Sequence, residues 1–220
     1  MFSLDLNAMP GIESFGRSER ELKRRLSEIG ERVKQEQKPL GAVGLAIVQA
    51  STNARDQAKP MIRAPDEKER IQREIYIFYE FIYFFMHMTM RQAFAALSAA
   101  RLEELQAYLG PLISSVAIDS YFAHWPEDRK QRMIGEFYEK LNESELEYTE
   151  STQFETDLEG DERMKAKLKA LFMKLASNVA NWAVDNEKDI AVVALVIKTA
   201  ISEWKNMKLD ALVADVAAKA

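Results

Sequence analysis

Four polar residues stand inside the most apolar stretch of the sequence: Tyr76, Glu80, Tyr83 and His87. Their 4,3,4 spacing stacks them along one face of a helix, adjacent members within side-chain reach. Ile77, Phe78, Phe81, Ile82, Phe84 and Phe85 surround Glu80 in sequence. No rotation of the helix exposes it without exposing aromatics, so it is expected to be buried and hydrogen-bonded. Desolvation shifts the pKa of such groups, and perturbed titratable groups gather at functional sites. One reading is therefore a polar pocket in a helical core, binding a small ligand or a metal. The other is structural: Glu80 and His87 are satisfied by the tyrosine hydroxyls, Arg91 or a partner helix, as buried polar groups must be.

Other chemistry is sparse. Histidine occurs only at His87 and His124, with no HExxH and no Glu-x-x-His pair. The latter absence counts against a di-iron carboxylate bundle, which needs carboxylate and imidazole at i and i+3 on one metal. Neither GxxxxGK[ST], GxGxxG nor GxSxG occurs, which removes the usual nucleotide and serine-hydrolase routes. There is no cysteine, so disulfides, thiolate metal sites and cysteine nucleophiles are excluded. No catalytic residue, metal ligand set or cofactor is assigned.

Arg17, Arg20, Lys23, Arg24, Arg25 and Arg32 give the 14–38 segment a basic excess, which five glutamates dilute. The spacing predicts i,i+4 pairs on a wet helix face. No second helix follows with a turn suited to a helix-turn-helix. A net charge of −5 and a pI near 5.3 also argue against a nucleic-acid partner. Between Glu136 and Glu162 there are eleven acidic residues and one basic, Lys140. Within that block, residues 157–161 resemble a calcium loop with its glycine fourth instead of sixth, and a solvated loop is the better reading. Met86, Met88 and Met90 are expected to fill irregular gaps in the core.

The elements that must position these residues are helices. Ser18 and Glu21 fit a capping box, and Leu22, Leu26, Ile29 and Val33 extend a helix towards Gln37, where Pro39 stops it. Residues 40–50 are apolar with two glycines; helix is chosen because the chain offers no convincing partner strand. Pro60 and Pro65 bracket a linker over 59–64. Asp66 with Glu69 caps the longest periodic segment, striped by Ile71, Ile75, Phe78, Ile82, Phe85, Thr89, Ala93 and Leu97. A second stripe continues Tyr76, Glu80, Tyr83 and His87 to Phe94. Run on to Leu109, this helix would be about 66 Å long at 1.5 Å per residue, against a radius of gyration of about 17 Å for a domain of this size. A break near 98–101 is therefore expected.

Gly110-Pro111 predicts a boundary, with helices over 111–122 and from Pro126 onward on Met133, Ile134, Phe137, Tyr138 and Leu141. Residues 142–160 read as a polar, acidic connection, with at most a helical turn at 144–147 within it. Asp161 then caps a helix through Met164, Leu168, Leu171, Phe172, Leu175, Val179 and Trp182. Helices over 190–204 and 209–218 follow.

With 220 residues, 25.2 kDa, 47% apolar and 30% charged side chains, the chain can bury one substantial core. The expectation is an all-α, single-domain bundle of about seven or eight helices around a buried, aromatic-rich central helix, with residues 1–17 an N-terminal extension and 18–220 the domain. The apolar run 75–90 is shorter than the ~20 residues a membrane span needs and carries Glu80 and His87. The opening MFSLDLNAMPGIESFG has no cationic n-region, so a soluble, cytoplasmic protein is expected and the sequon at Asn142 carries no glycosylation meaning. The function expected is non-catalytic: association with another protein or with a second copy, a homodimer through the carboxy-terminal helix pair with Trp182 and Trp204 as candidate anchors. The alternative is a small-ligand- or metal-binding bundle, or an enzyme, with its site at Tyr76, Glu80, Tyr83 and His87.

Overall fold

Asp66 opens the helix around which the others are arranged. Its side chain accepts a hydrogen bond from the Glu69 amide at 2.8 Å, occupying one of the amides that a helix start leaves free. The structure is a computed structural model that describes residues 20, 23–24, 27–28, 31, 39–122, 125–153 and 159–218. Its elements are α1 (Pro39–Ala58), a 3-10 turn (Lys59–Met61), α2 (Glu67–Ala96), α3 (Ala99–Phe122), α4 (Glu127–Ser151), α5 (Gly160–Val184), α6 (Ile190–Asn206) and α7 (Leu209–Ala218). There is no strand among the described residues, and the all-α bundle is as expected. No described helix is long and apolar enough to cross a membrane.

From Glu74 to Thr89 every residue of α2 is buried. Five helices, α1, α3, α4, α5 and α7, pack directly on it, and α6 lies one layer out on α1 and α5. Such enclosure is what a helix apolar on all sides requires in water. Phe94, one turn beyond, is 76% exposed, so the second stripe ends before it. The break that chain length demanded falls at Leu97 and Ser98, where Leu97 is extended (φ −104°, ψ 153°) and the Ser98 hydroxyl accepts from the Arg101 amide at 3.4 Å.

Among the described residues the bundle proper is six long helices, fewer than the seven or eight expected, and the ten-residue α7 is appended to it. Two expected boundaries lie inside helices. Gly110-Pro111 sits within α3. Pro111 is exposed, and so is Ala107, whose carbonyl the missing proline N–H leaves for water. Gly110 is there for contact: a Cβ on it would lie 3.0 Å from the Tyr138 hydroxyl. The acidic connection is also shorter than 142–160, because α4 runs to Ser151 with Ser144 and Tyr148 continuing the buried line of Met133 and Phe137. Asp161 is not the cap of α5. Glu159 precedes the helix and makes no side-chain cap bond, while Asp161 occupies the first turn, where a carboxylate meets the favourable end of the helix dipole.

The 1–17 extension, the Ser18–Glu21 capping box, the apolar positions of the first expected helix, His124 and Asp157 lie outside the described residues. The few described positions between 20 and 31 are helical and exposed.

Candidate functional site

Tyr76, Glu80, Tyr83 and His87 are all buried on α2, and α4 and α5 close over them. Glu80 is 5% exposed. Its Oε2 accepts from Asn178 Nδ2 at 3.3 Å and its Oε1 from Trp182 Nε1 at 3.4 Å. These two donors stand four residues apart on α5, one helical turn, so a single face of that helix serves both carboxylate oxygens. The Trp182 ring also stacks on Tyr76, centroids 4.2 Å apart, and the Tyr76 hydroxyl accepts from Gln72 Nε2 at 3.2 Å. Burial pushes the Glu80 carboxyl above its ordinary value, opposed by the two hydrogen bonds and by the charge of Lys140. Asn178 reaches on to Glu147 at 3.5 Å, which Lys174 binds at 3.2 Å.

His87 belongs to a separate contact. Its Nδ1 lies 2.7 Å from Glu145 Oε2 on α4, and its Nε2 lies 3.5 Å from Arg91 Nη1. The Tyr83 hydroxyl is buried without a hydrogen-bond partner among the described residues, and burial pushes the phenols of Tyr79, Tyr83 and Tyr148 well up. The structure thus gathers the four residues on one face and divides them between different partners. Among the described residues no three His, Asp or Glu side chains are placed to hold a metal ion.

Sequence reasoning missed a second buried polar cluster, between α1 and α2. Glu74 is fully buried, with Arg70 Nη1 at 3.0 Å, Lys59 Nζ at 3.2 Å and Arg55 Nε at 3.7 Å. Arg55 is itself buried, over the Phe78 ring and against the Tyr121 hydroxyl and Asp56. The available signal was the three-and-four spacing of Glu74 from Ile71 and Phe78, which puts it on the core stripe.

A cleft was missed as well. It opens between the last turns of α2, the first half of α5 and the junction of α6 with α7, with a volume of about 860 Å³. Its floor is Met88, Leu168, Leu171, Trp204 and Leu209, with Met164 at the lip. Arg91, Arg163, Lys167, Lys205 and Lys208 surround that floor, and the single carboxylate among the lining residues, Asp210, accepts a hydrogen bond from Gln92. None of the five cations forms an ion pair among the described residues, although Arg70, Arg73, Arg101, Lys130, Lys140, Lys165 and Lys174 all do. The signal lay in the charge pattern. The acidic block ends at Glu162, and residues 163–174 carry five cations and no acid. Arg91 joins this cleft to His87; Tyr76, Glu80, Tyr83 and His87 do not line it. Comparison with protein-family models, with curated proteins and with solved structures returns no match.

Proposed function

We propose that this chain is a non-catalytic helical binding protein, acting by association through the cleft between α2, α5 and the α6–α7 junction. The supporting observation is the pairing of an apolar floor with five cations that form no ion pair among the described residues. Recessed apolar surface with a few convergent polar groups is the usual form of a binding pocket, and the cations favour an anionic occupant. Self-association through the outward side of α6 and a cytoplasmic location belong to the same proposal.

Native mass spectrometry of the full chain tests the cleft. A mass retained by the wild type and lost from the Arg163→Glu/Lys167→Glu double variant is expected. A mass retained equally by both removes the cleft from the reading.

The second reading, a small ligand held around Tyr76, Glu80, Tyr83 and His87, draws its support from the Tyr83 hydroxyl, buried without a partner among the described residues. Tyr83→Phe separates the two. If the face only packs, removing an unpaired hydroxyl leaves stability unchanged or higher; loss of a retained ligand in that variant favours the core site.

A further inference from the structure

We propose that the cleft takes a free single-chain amphiphile with an anionic head, an alkyl carboxylate or alkyl phosphate, its chain lying on the Met88–Leu171–Trp204–Leu209 floor and its head among the surrounding cations. This rests on the binding reading above and names the class of ligand.

The floor dictates the tail. Met88, Leu171 and Leu209 are buried, and Leu168 and Trp204 half-buried, so the apolar surface is recessed. Along α5 the lining runs from Gly160 to Leu171, about 16 Å at 1.5 Å per residue, a length suited to an extended medium alkyl chain. Met88 and Met164 add unbranched side chains that adapt to an irregular apolar surface.

The rim dictates the head. Among the described lining residues, five cations against one carboxylate leave a balance of +4 in a chain whose net charge is −5. They come from separate walls: Arg91 from α2, Arg163 and Lys167 from α5, Lys205 and Lys208 from the α6–α7 junction. Lys208 has φ 49°, a left-handed conformation that side-chain-bearing residues seldom adopt. The turn thus carries a lysine at the cleft where glycine would be less strained.

Size argues against a protein helix as occupant. An α-helix with its side chains is about 10–12 Å across and over the same length would occupy more than the 860 Å³ of the cleft. A bilayer surface fits less well still, because the cations surround the apolar floor instead of flanking a protruding one.

Isothermal titration calorimetry of the full chain tests this with laurate and dodecyl phosphate, both below their micelle concentrations. Dodecyltrimethylammonium, inorganic phosphate, phosphatidylglycerol vesicles and an acidic amphipathic peptide serve as comparators. One saturable site per chain is expected for both alkyl anions, with inorganic phosphate and the cationic amphiphile at least tenfold weaker. Arg163→Glu and Lys167→Glu should each weaken binding at least tenfold. Lys169→Glu, exposed on α5 and outside the cleft, should leave it unchanged. Absence of saturable alkyl-anion binding overturns the proposal. So does equal binding of the cationic amphiphile, equal damage from Lys169→Glu, or binding confined to vesicles or to the peptide. If the alkyl anions fail while a natively retained mass is still lost from the double variant, the ligand class falls and the cleft remains a binding site. If no retained mass depends on the double variant either, both readings fall.

Discussion

Two buried glutamates of α2 are held in opposite ways. Glu80 has an amide and an indole as donors, whereas Glu74 has Arg70, Lys59 and Arg55 around it. Because burial raises the Glu80 carboxyl above its ordinary value, the folded state holds that proton more tightly than the unfolded chain. Its contribution is therefore fully present below the unfolded pKa and is lost as pH rises through the raised folded value. Glu80→Gln keeps the shape and does not titrate, so its stability relative to wild type should increase from acid towards neutral pH. Urea unfolding at a series of pH values reads this, and a difference that stays flat with pH contradicts it. Glu80→Leu should cost about 1–3 kcal/mol by removing the acceptor of Trp182 Nε1 and one of the two acceptors of Asn178 Nδ2. Glu74→Ala should also cost about 1–3 kcal/mol through lost charge-assisted contacts, since Arg55 keeps Asp56 and the Tyr121 hydroxyl and Lys59 and Arg70 are partly exposed and can turn to water. Glu80 could be found from sequence because aromatics surround it. Glu74 could not be told apart so readily: it follows Glu67, Lys68, Glu69, Arg70, Gln72 and Arg73, and its burial depends on α1 lying alongside.

Helix ends were legible where capping or chain length decided them, as at Asp66 and at the Leu97–Ser98 break; the helix expected from 190 starts there, with Asp189 accepting from the Ala191 and Val192 amides. They were misread where a breaker is tolerated. Gly110-Pro111 stays helical because Tyr138 packs against the glycine and the proline faces outward, a tertiary arrangement that local propensity does not contain. The 142–151 stretch was misread for the converse reason, since its buried line uses Ser144 in place of an aliphatic residue. Gly135 offers a clean test at this scale. It is exposed within α4, and a Cβ there would meet nothing within 4 Å. Gly135→Ala should therefore stabilise the protein by about 0.5–1 kcal/mol through backbone entropy alone, seen as a higher urea midpoint at unchanged slope. A loss of stability would mean that α4 does not stand open to solvent at that point.

The whole molecule is built as one enclosed helix with a surrounding layer, and α6 is the helix that enclosure does not fully use. One side of it, Val192, Val196, Thr199 and Glu203, is buried, with Glu203 accepting from Asn53 and Gln57 of α1 at 3.0 and 3.5 Å. A second line, Ile190, Ala194, Ile197 and Ile201, repeats the same 4,3,4 spacing on the outward side. Ile190 is 84% exposed, Ala194 is exposed, and Ile197 and Ile201 are half-buried. Trp182 and Trp204, candidate anchors for a dimer, are engaged within the subunit, one on Tyr76 and Glu80 and the other near Phe172 on the cleft floor. Self-association would then rest on the outward line of α6, whose small Ala194 lets a second helix approach and whose isoleucines can seat as knobs in a facing copy. A two-fold pairing of this face with itself is the simplest closed arrangement. Light scattering of the wild type at micromolar concentration should give the mass of a dimer. Ile190→Glu should return it to a monomer, with helix content and alkyl-anion binding unchanged because neither Ile190 nor its outward neighbours line the cleft. A monomeric wild type under those conditions, or a variant that stays dimeric, would remove α6 as the contact between copies.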